Sequence, residues 1–352
     1  MVPIEAPTRE VENPPRLRLV GSVRGLLTSI PWAQSKAISE GPRTPDYRIA
    51  SSLASQPSDD GPRIWSLKAP SFERILFHVN SSWPDALASV PWVARVTRPG
   101  GQVVLVHVWD ERQSRRSGKS DAASERDARA LLSSLQSALE DVGLEACTEL
   151  VYAPHHELGR CLRNVATRWQ ADLAVIGLRN SRQRRFGLGL STEDVTRGCH
   201  LPILCMPASP HRLPQAGVVL LAVGAGGAVA DSSAFSAMLA LSHSRTFMAR
   251  VLHVCRIVQS EVGCYAEPED PAWARVRGVL TSLRDAGIRG DGWVTSSRGR
   301  VADEILEAAH QSAAGLIVIG GHAPTFGPVR WGTVHDLLSI TDLPVLVGGR
   351  AA

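Results

Sequence analysis

Asp172-Leu-Ala-Val-Ile-Gly177 and Gly315-Leu-Ile-Val-Ile-Gly320 are nearly the same passage written twice, 143 residues apart. Downstream, Leu201-Pro-Ile-Leu204 is echoed by Leu343-Pro-Val-Leu346, 142 residues on. Upstream, Val106-His-Val108 returns as Leu252-His-Val254 after 146 residues, and Ile75-Leu-Phe-His-Val79 resembles Val219-Leu-Leu-Ala-Val223 after 144. Four anchors in one order at nearly constant spacing define an internal repeat. The expected organisation is an extension over residues 1–71, one domain over 72–208, a Pro-containing linker over 209–215 and a second domain over 216–350.

Within the first copy, Ile75 to Val79, Val103 to Val108, Glu149 to Tyr152, Leu173 to Ile176 and Ile203 to Met206 have the length and apolar character of buried strands. Pro84 to Val96, Asp121 to Val142, His155 to Trp169 and Ser191 to Arg197 between them read as helices; Leu131, Leu132, Leu135 and Leu139 form one amphipathic face. The second copy repeats the strands at Val218 to Val223, Met248 to Val254, Gly292 to Val294, Leu316 to Ile319 and Val345 to Val347. Continuous apolar strands alternating with helices mean parallel strands covered on both faces. The predicted fold class is α/β: two tandem, doubly wound, parallel-sheet, Rossmann-like domains behind a Pro-rich N-terminal extension.

Composition narrows the function. The chain has 352 residues, 44% hydrophobic and 20% charged, and a net charge of +4. A globular protein of this size with so small a charge excess lacks the basic face of a nucleic-acid binder. No apolar run reaches the 18 or more residues of a membrane span. The start, MVPIEAPTREVENPP, has no secretory h-region, and the expected location is the cytoplasm. Six cysteines (Cys147, Cys161, Cys199, Cys205, Cys255, Cys264) include no Cys-x-x-Cys pair, so neither a disulfide framework nor a zinc site is expected. Ten of the 23 prolines fall in the first 70 residues. That segment reads as a mobile or loosely docked extension. A partner-binding arm anchored by Leu26, Leu27, Ile30 and Trp32 is the alternative.

Doubly wound folds bind ligands at the carboxyl ends of their strands, so the loop after each fourth strand is the place to look for chemistry. In the first copy it runs from Gly177 through Arg179, Asn180, Arg182, Arg184, Arg185 and Gly189 to Ser191 and Thr192 at a helix start. The second runs from Gly320 to Gly332 and Thr333. A glycine turn off a strand, a spacer, then Gly-Ser/Thr opening a helix can cradle a phosphate, because free N–H groups and the helix dipole stabilise an anion there. Ser191 or Thr333 could equally cap its own helix.

At these residues the sequence resembles the universal stress protein (UspA) family in a tandem arrangement. The family's mark is Gly-x2-Gly-x9-Gly-Ser/Thr after the fourth strand, between a Leu-Ile-Val-like strand and a Pro-Val-Leu-Val-like fifth strand. The resemblance covers about four fifths of the chain. It implies pairing of the repeats through their fifth strands, Ile203 to Met206 and Val345 to Val347. It also implies ATP, with Mg, at the glycine motif and at an Asp ending the first strand. This sequence departs from that pattern. Asn80 stands at the Asp position of the first copy, Asn180 at the second motif glycine, and Gly189 falls one residue early; the second copy has Gly224 and Ala323 at the corresponding places and a spacer one residue short. Asn80 and Asn180 are the milder changes, and the loop arginines supply phosphate-binding charge, so the first copy is the expected nucleotide site.

Other constellations fail on spacing. His155-His156-Glu157 lacks the one-turn separation of a zincin pair. His107 and His253 recur with the repeat and read as satisfied core or rim histidines. Cys199-His200 has no oriented third partner. The expectation is a non-catalytic stress-response protein with nucleotide bound in the first repeat, no resident metal, no nucleic acid or membrane partner, and unknown protein partners or a homodimer. The alternatives are an interaction module independent of nucleotide and a slow ATPase.

Overall fold

A computed structural model describes residues 72–79, 86–109, 121–154, 157–178, 201–207, 217–224, 233–242, 247–260, 263–265, 268–320 and 332–349. All of them lie in one compact unit. The N-terminal expectations, the linker and most of the first glycine-motif loop fall outside these residues.

The first half contains β1 (Phe72–His78), α1 (Val90–Val96), β2 (Thr97–Trp109), α2 (Asp121–Asp141), β3 (Glu145–Tyr152), α3 (Leu158–Trp169), β4 (Leu173–Gly177) and β5 (Ile203–Met206). In the second half come β6 (Val218–Val223), α4 (Ser233–Ser242), β7 (Met248–Arg256), a hairpin of β8 (Val258–Ser260) and β9 (Gly263–Tyr265), α5 (Glu269–Asp285), β10 (Gly290–Ser297), α6 (Val301–Gln311), β11 (Leu316–Ile319), α7 (Gly332–Ile340) and β12 (Val345–Val347). One ten-stranded sheet takes the order β10-β7-β6-β11-β12-β5-β4-β1-β2-β3. Each half therefore has the strand order 3-2-1-4-5, parallel throughout.

The halves meet where β12 runs antiparallel to β5, with Val345 opposite Cys205, Leu346 opposite Leu204 and Val347 opposite Ile203. Successive strand residues face opposite sides of a sheet, and this divides the core in two. Leu204 and Leu346 join Phe77, Leu105, Leu135 of α2, Met238 of α4 and Val276 of α5 on one face. Ile203, Cys205, Val345 and Val347 join Leu162 of α3, Ile305 of α6 and Leu337 of α7 on the other. Each core crosses the seam. The strands read as unbroken apolar runs because both of their faces are covered.

Several boundaries differ from the sequence reading for local reasons. The expected helix from Pro84 to Val96 is, over its described part, a 3-10 turn (Ala86–Ser89) followed by α1, with Pro91 in the first turn, where a missing N–H costs nothing. Strand β2 starts six residues before Val103. Phe72 pairs with Thr97 and Arg74 with Gln102, so Arg98 to Gly101 between them form an irregularity inside the strand. Gly100 has φ +69, and a Cβ at Gly101 would lie 2.9 Å from the Arg98 carbonyl and 3.0 Å from that of Glu73. The β8–β9 hairpin has no counterpart in the sequence reading.

Helix ends repeat between halves. Leu144 and Ile288 donate to Leu139 and Leu283 past the left-handed Gly143 and Gly287, and Ala171 and Ala314 donate to Ala166 and Ala309 past Gln170 and Ala313. Gln170 and Ala313 both sit at φ 51, a conformation that costs a non-glycine residue roughly 1–2 kcal/mol. Ala313→Gly relieves that strain at a smaller unfolded-state entropy cost. We expect a gain of about 0.5–1 kcal/mol by denaturant titration; an unchanged or lower midpoint would show that the turn is not strained.

Asp172 shows why one repeat begins its fourth strand with a carboxylate. Its side chain accepts the Glu73 and Arg74 N–H groups at 2.6 and 3.2 Å, tying the start of β4 to the start of β1. Burial raises its carboxyl pKa despite those donors. In the second half Gly315 keeps only the backbone element of this tie, its N–H donating to Val218 at 2.9 Å as Asp172 N–H does to Arg74.

Candidate functional site

Strand order locates the site. From β1 the chain winds outward through β2 and β3, then returns to the opposite side of β1 with β4. The crevice outside the carboxyl ends of such neighbours is where open α/β sheets hold ligands. In the first half β1 and β4 are paired through His78 and Ile176, so their carboxyl ends, at Val79 and Leu178, stand side by side. In the second half β6 and β11 pair through Ala222 and Ile319 and deliver Gly224 and Gly320.

Gly177 is buried and pairs with Met206 of β5. Leu178, also buried, donates its N–H to the Met206 carbonyl at 2.6 Å. This pairing carries β4 to the edge of the sheet before the loop departs. Gly320 is half-buried at the end of β11, and a Cβ there would meet nothing within 4 Å among the described residues. Gly332 opens α7 with Thr333 next to it, both half-buried. The structure thus places Gly177, Gly320, Gly332 and Thr333 at carboxyl strand ends or a helix start. Asn80, Arg179, Asn180, Gly189, Ser191 and Thr192 lie outside the described residues.

Behind each first strand stands a histidine. His107 of β2 is 5% exposed, with Nδ1 2.7 Å from the Val79 carbonyl; His253 of β7 is 1% exposed, with Nδ1 2.7 Å from that of Val223. A carbonyl only accepts, so each imidazole carries its proton on Nδ1 and donates it. Burial lowers both pKa values; the carbonyl bond opposes this in each case, and the Arg275 charge adds to the lowering at His253. The Trp109 ring meets His107 edge-on at 6.3 Å. These are the satisfied histidines expected from the recurrence of Leu/Val-His-Val. Their tie to the strand end was invisible in sequence, because it joins residues 28 and 30 positions apart.

Among the described residues, no cluster of three His, Cys, Asp or Glu could hold a metal ion. Of the described helices, none is long and apolar enough to cross a membrane. Cys147, Cys161, Cys205 and Cys255 are free thiols, and burial raises the pKa of all four.

The fold defines the class: a doubly wound, mostly parallel α/β sheet with topological switch points at β1/β4 and β6/β11. Residues 71–207 match the model of the Universal stress protein family. A universal stress protein from Archaeoglobus fulgidus DSM 4304 superposes with a TM-score of 0.58 at 15% identity, over 80% of this chain and 97% of that one. A functionally unknown protein from Pseudomonas aeruginosa PAO1 gives 0.53 at 16% identity, over 79% and 92%. At such identities the likeness concerns the fold. A universal stress protein from Archaeoglobus fulgidus solved in complex with dAMP covers 37% of this chain and 95% of its own, at 18% identity and a TM-score of 0.29. No curated protein matches the sequence.

Proposed function

We propose that the chain is a tandem universal stress protein, a non-catalytic stress-response protein of the cytoplasm that binds ATP, with Mg, in its first half. The observation that supports this reading is the pairing of β1 with β4, the strands that in sequence precede Asn80 and the arginine-bearing loop after Gly177. Matching strand order in the second half and the β5–β12 seam support the tandem arrangement. In the second half the corresponding crevice receives Gly224, which has no side chain to hold a ribose or base. One nucleotide per chain is therefore the expected stoichiometry. Its effect would come through differential affinity for one conformation or assembly.

Calorimetric titration of the nucleotide-stripped protein with Mg-ATP tests this directly. Saturable binding near one site per chain is expected. Arg179→Ala with Arg182→Ala should abolish it, since charge-assisted hydrogen bonds contribute about 1.5–3 kcal/mol each. If neither wild-type binding nor copurified nucleotide is found, the chain is an interaction module instead. Turnover of ATP that survives repurification and disappears in Ser191→Ala would make it a slow ATPase.

A further inference from the structure

The carbonyl end of the first strand in each half is fixed by a side chain. Val79 donates its N–H to the Val106 carbonyl at 2.8 Å, while its own carbonyl receives the His107 imidazole at 2.7 Å. Both backbone groups of the last described residue before Asn80 are thereby held. His253 makes the same bond to Val223. A buried donor is a strong constraint when neutral, but a proton arriving on the far ring nitrogen places a charge where water is excluded. Protonation strengthens the bond to the Val79 carbonyl, which therefore opposes release; what drives the ring away is the hydration that the buried charge gains in a more open conformation.

We propose that His107 is a positioning residue, a proton-sensitive latch on the carboxyl end of β1 that sets how tightly the first half holds its ligand. For its ligand the inference rests on the nucleotide reading above. The influences on His107 are burial and the Val79 carbonyl, with Trp109 as a ring neighbour; on His253, Arg275 of α5 adds a positive charge. His253 anchors the half whose crevice receives Gly224, and so serves as the internal control. Asn at position 107 places a non-titrating amide N–H where Nδ1–H stands, whereas Leu removes the donor.

The test uses the full chain as wild type, His107→Asn, His107→Leu and His253→Leu. Hydrogen exchange is followed on peptides spanning residues 72–79, corrected for intrinsic rate, between pH 7.5 and 5.5, with Mg-ATP affinity measured at both ends. In the wild type, protection of the end of β1 should fall by up to about tenfold per pH unit as pH drops from about 6.5 towards the depressed pKa of the latched imidazole, and affinity should fall with it. His107→Asn should keep protection and affinity nearly constant with pH. His107→Leu should lack protection at both ends of the range, and His253→Leu should leave β1 and the affinity as in the wild type. Wild-type protection that is flat with pH, or a His107→Asn protein with the wild-type pH dependence, overturns the latch. The expected exchange pattern without nucleotide binding at any pH overturns the functional reading and leaves the latch as a property of the strand.

Discussion

Leu346→Asp should abolish cooperative folding. Leu346 is 1% exposed on β12, opposite the equally buried Leu204 of β5, and both belong to the core that crosses the seam. An unpaired carboxylate there loses its hydration with no cation to meet it, a cost of several kcal/mol. Folded domains have only about 5–15 kcal/mol to lose. Leu346→Ala is the graded version: it should cost about 2–5 kcal/mol and leave a folded chain with a lower urea midpoint. Because Leu204 and Leu346 face one another, Leu204→Ala and Leu346→Ala should be non-additive by about 0.5–3 kcal/mol. Additive losses would show that the two leucines do not share a packing site, and the seam would have to be drawn elsewhere.

Stability should decline on mild acidification, before the carboxylates titrate. His107 and His253 have imidazole pKa values depressed by burial. A histidine depressed in the folded state binds its proton more readily when unfolded. Its contribution is complete above the ordinary value of about 6.5 and is lost as pH falls from there through the folded pKa. Each contributes a slope of up to about 1.4 kcal/mol per pH unit, so the two together reach about 2.7 kcal/mol per unit. Asp172 works in the opposite sense: its raised carboxyl favours the folded state as pH falls through the carboxylate range. Urea midpoints between pH 7.5 and 5.5 should therefore drop for the wild type. In the His107→Asn, His253→Asn double variant they should stay nearly level. A level wild-type profile would mean that the folded imidazoles titrate as free ones do.

Leu173 to Ile176 and Leu316 to Ile319 were legible as buried strands because only a strand covered on both faces has so little use for polar residues. The constant offset between the repeats then implied the same order of elements twice. The seam could be expected at Ile203 to Met206 and Val345 to Val347 only through the resemblance, since apolar strands of equal character occur throughout the chain. The long start of β2 was hidden because Pro99-Gly100-Gly101 has the chemistry of a turn, and only the approach of the Glu73 carbonyl shows why glycine sits inside a strand.

The sequence alone determined the class of fold, its duplication and the loops that leave the carboxyl ends of the strands, because hydrophobic period and repeat spacing are local quantities. Tertiary structure alone decided which strands are neighbours, and with them the crevices at β1/β4 and β6/β11. It also decided that Asp172 ties the amino end of β4 to that of β1 and that His107 and His253 grip the carboxyl ends of the first strands. Those contacts join residues that are distant in the chain, and no local pattern encodes a distance that only the packed sheet creates.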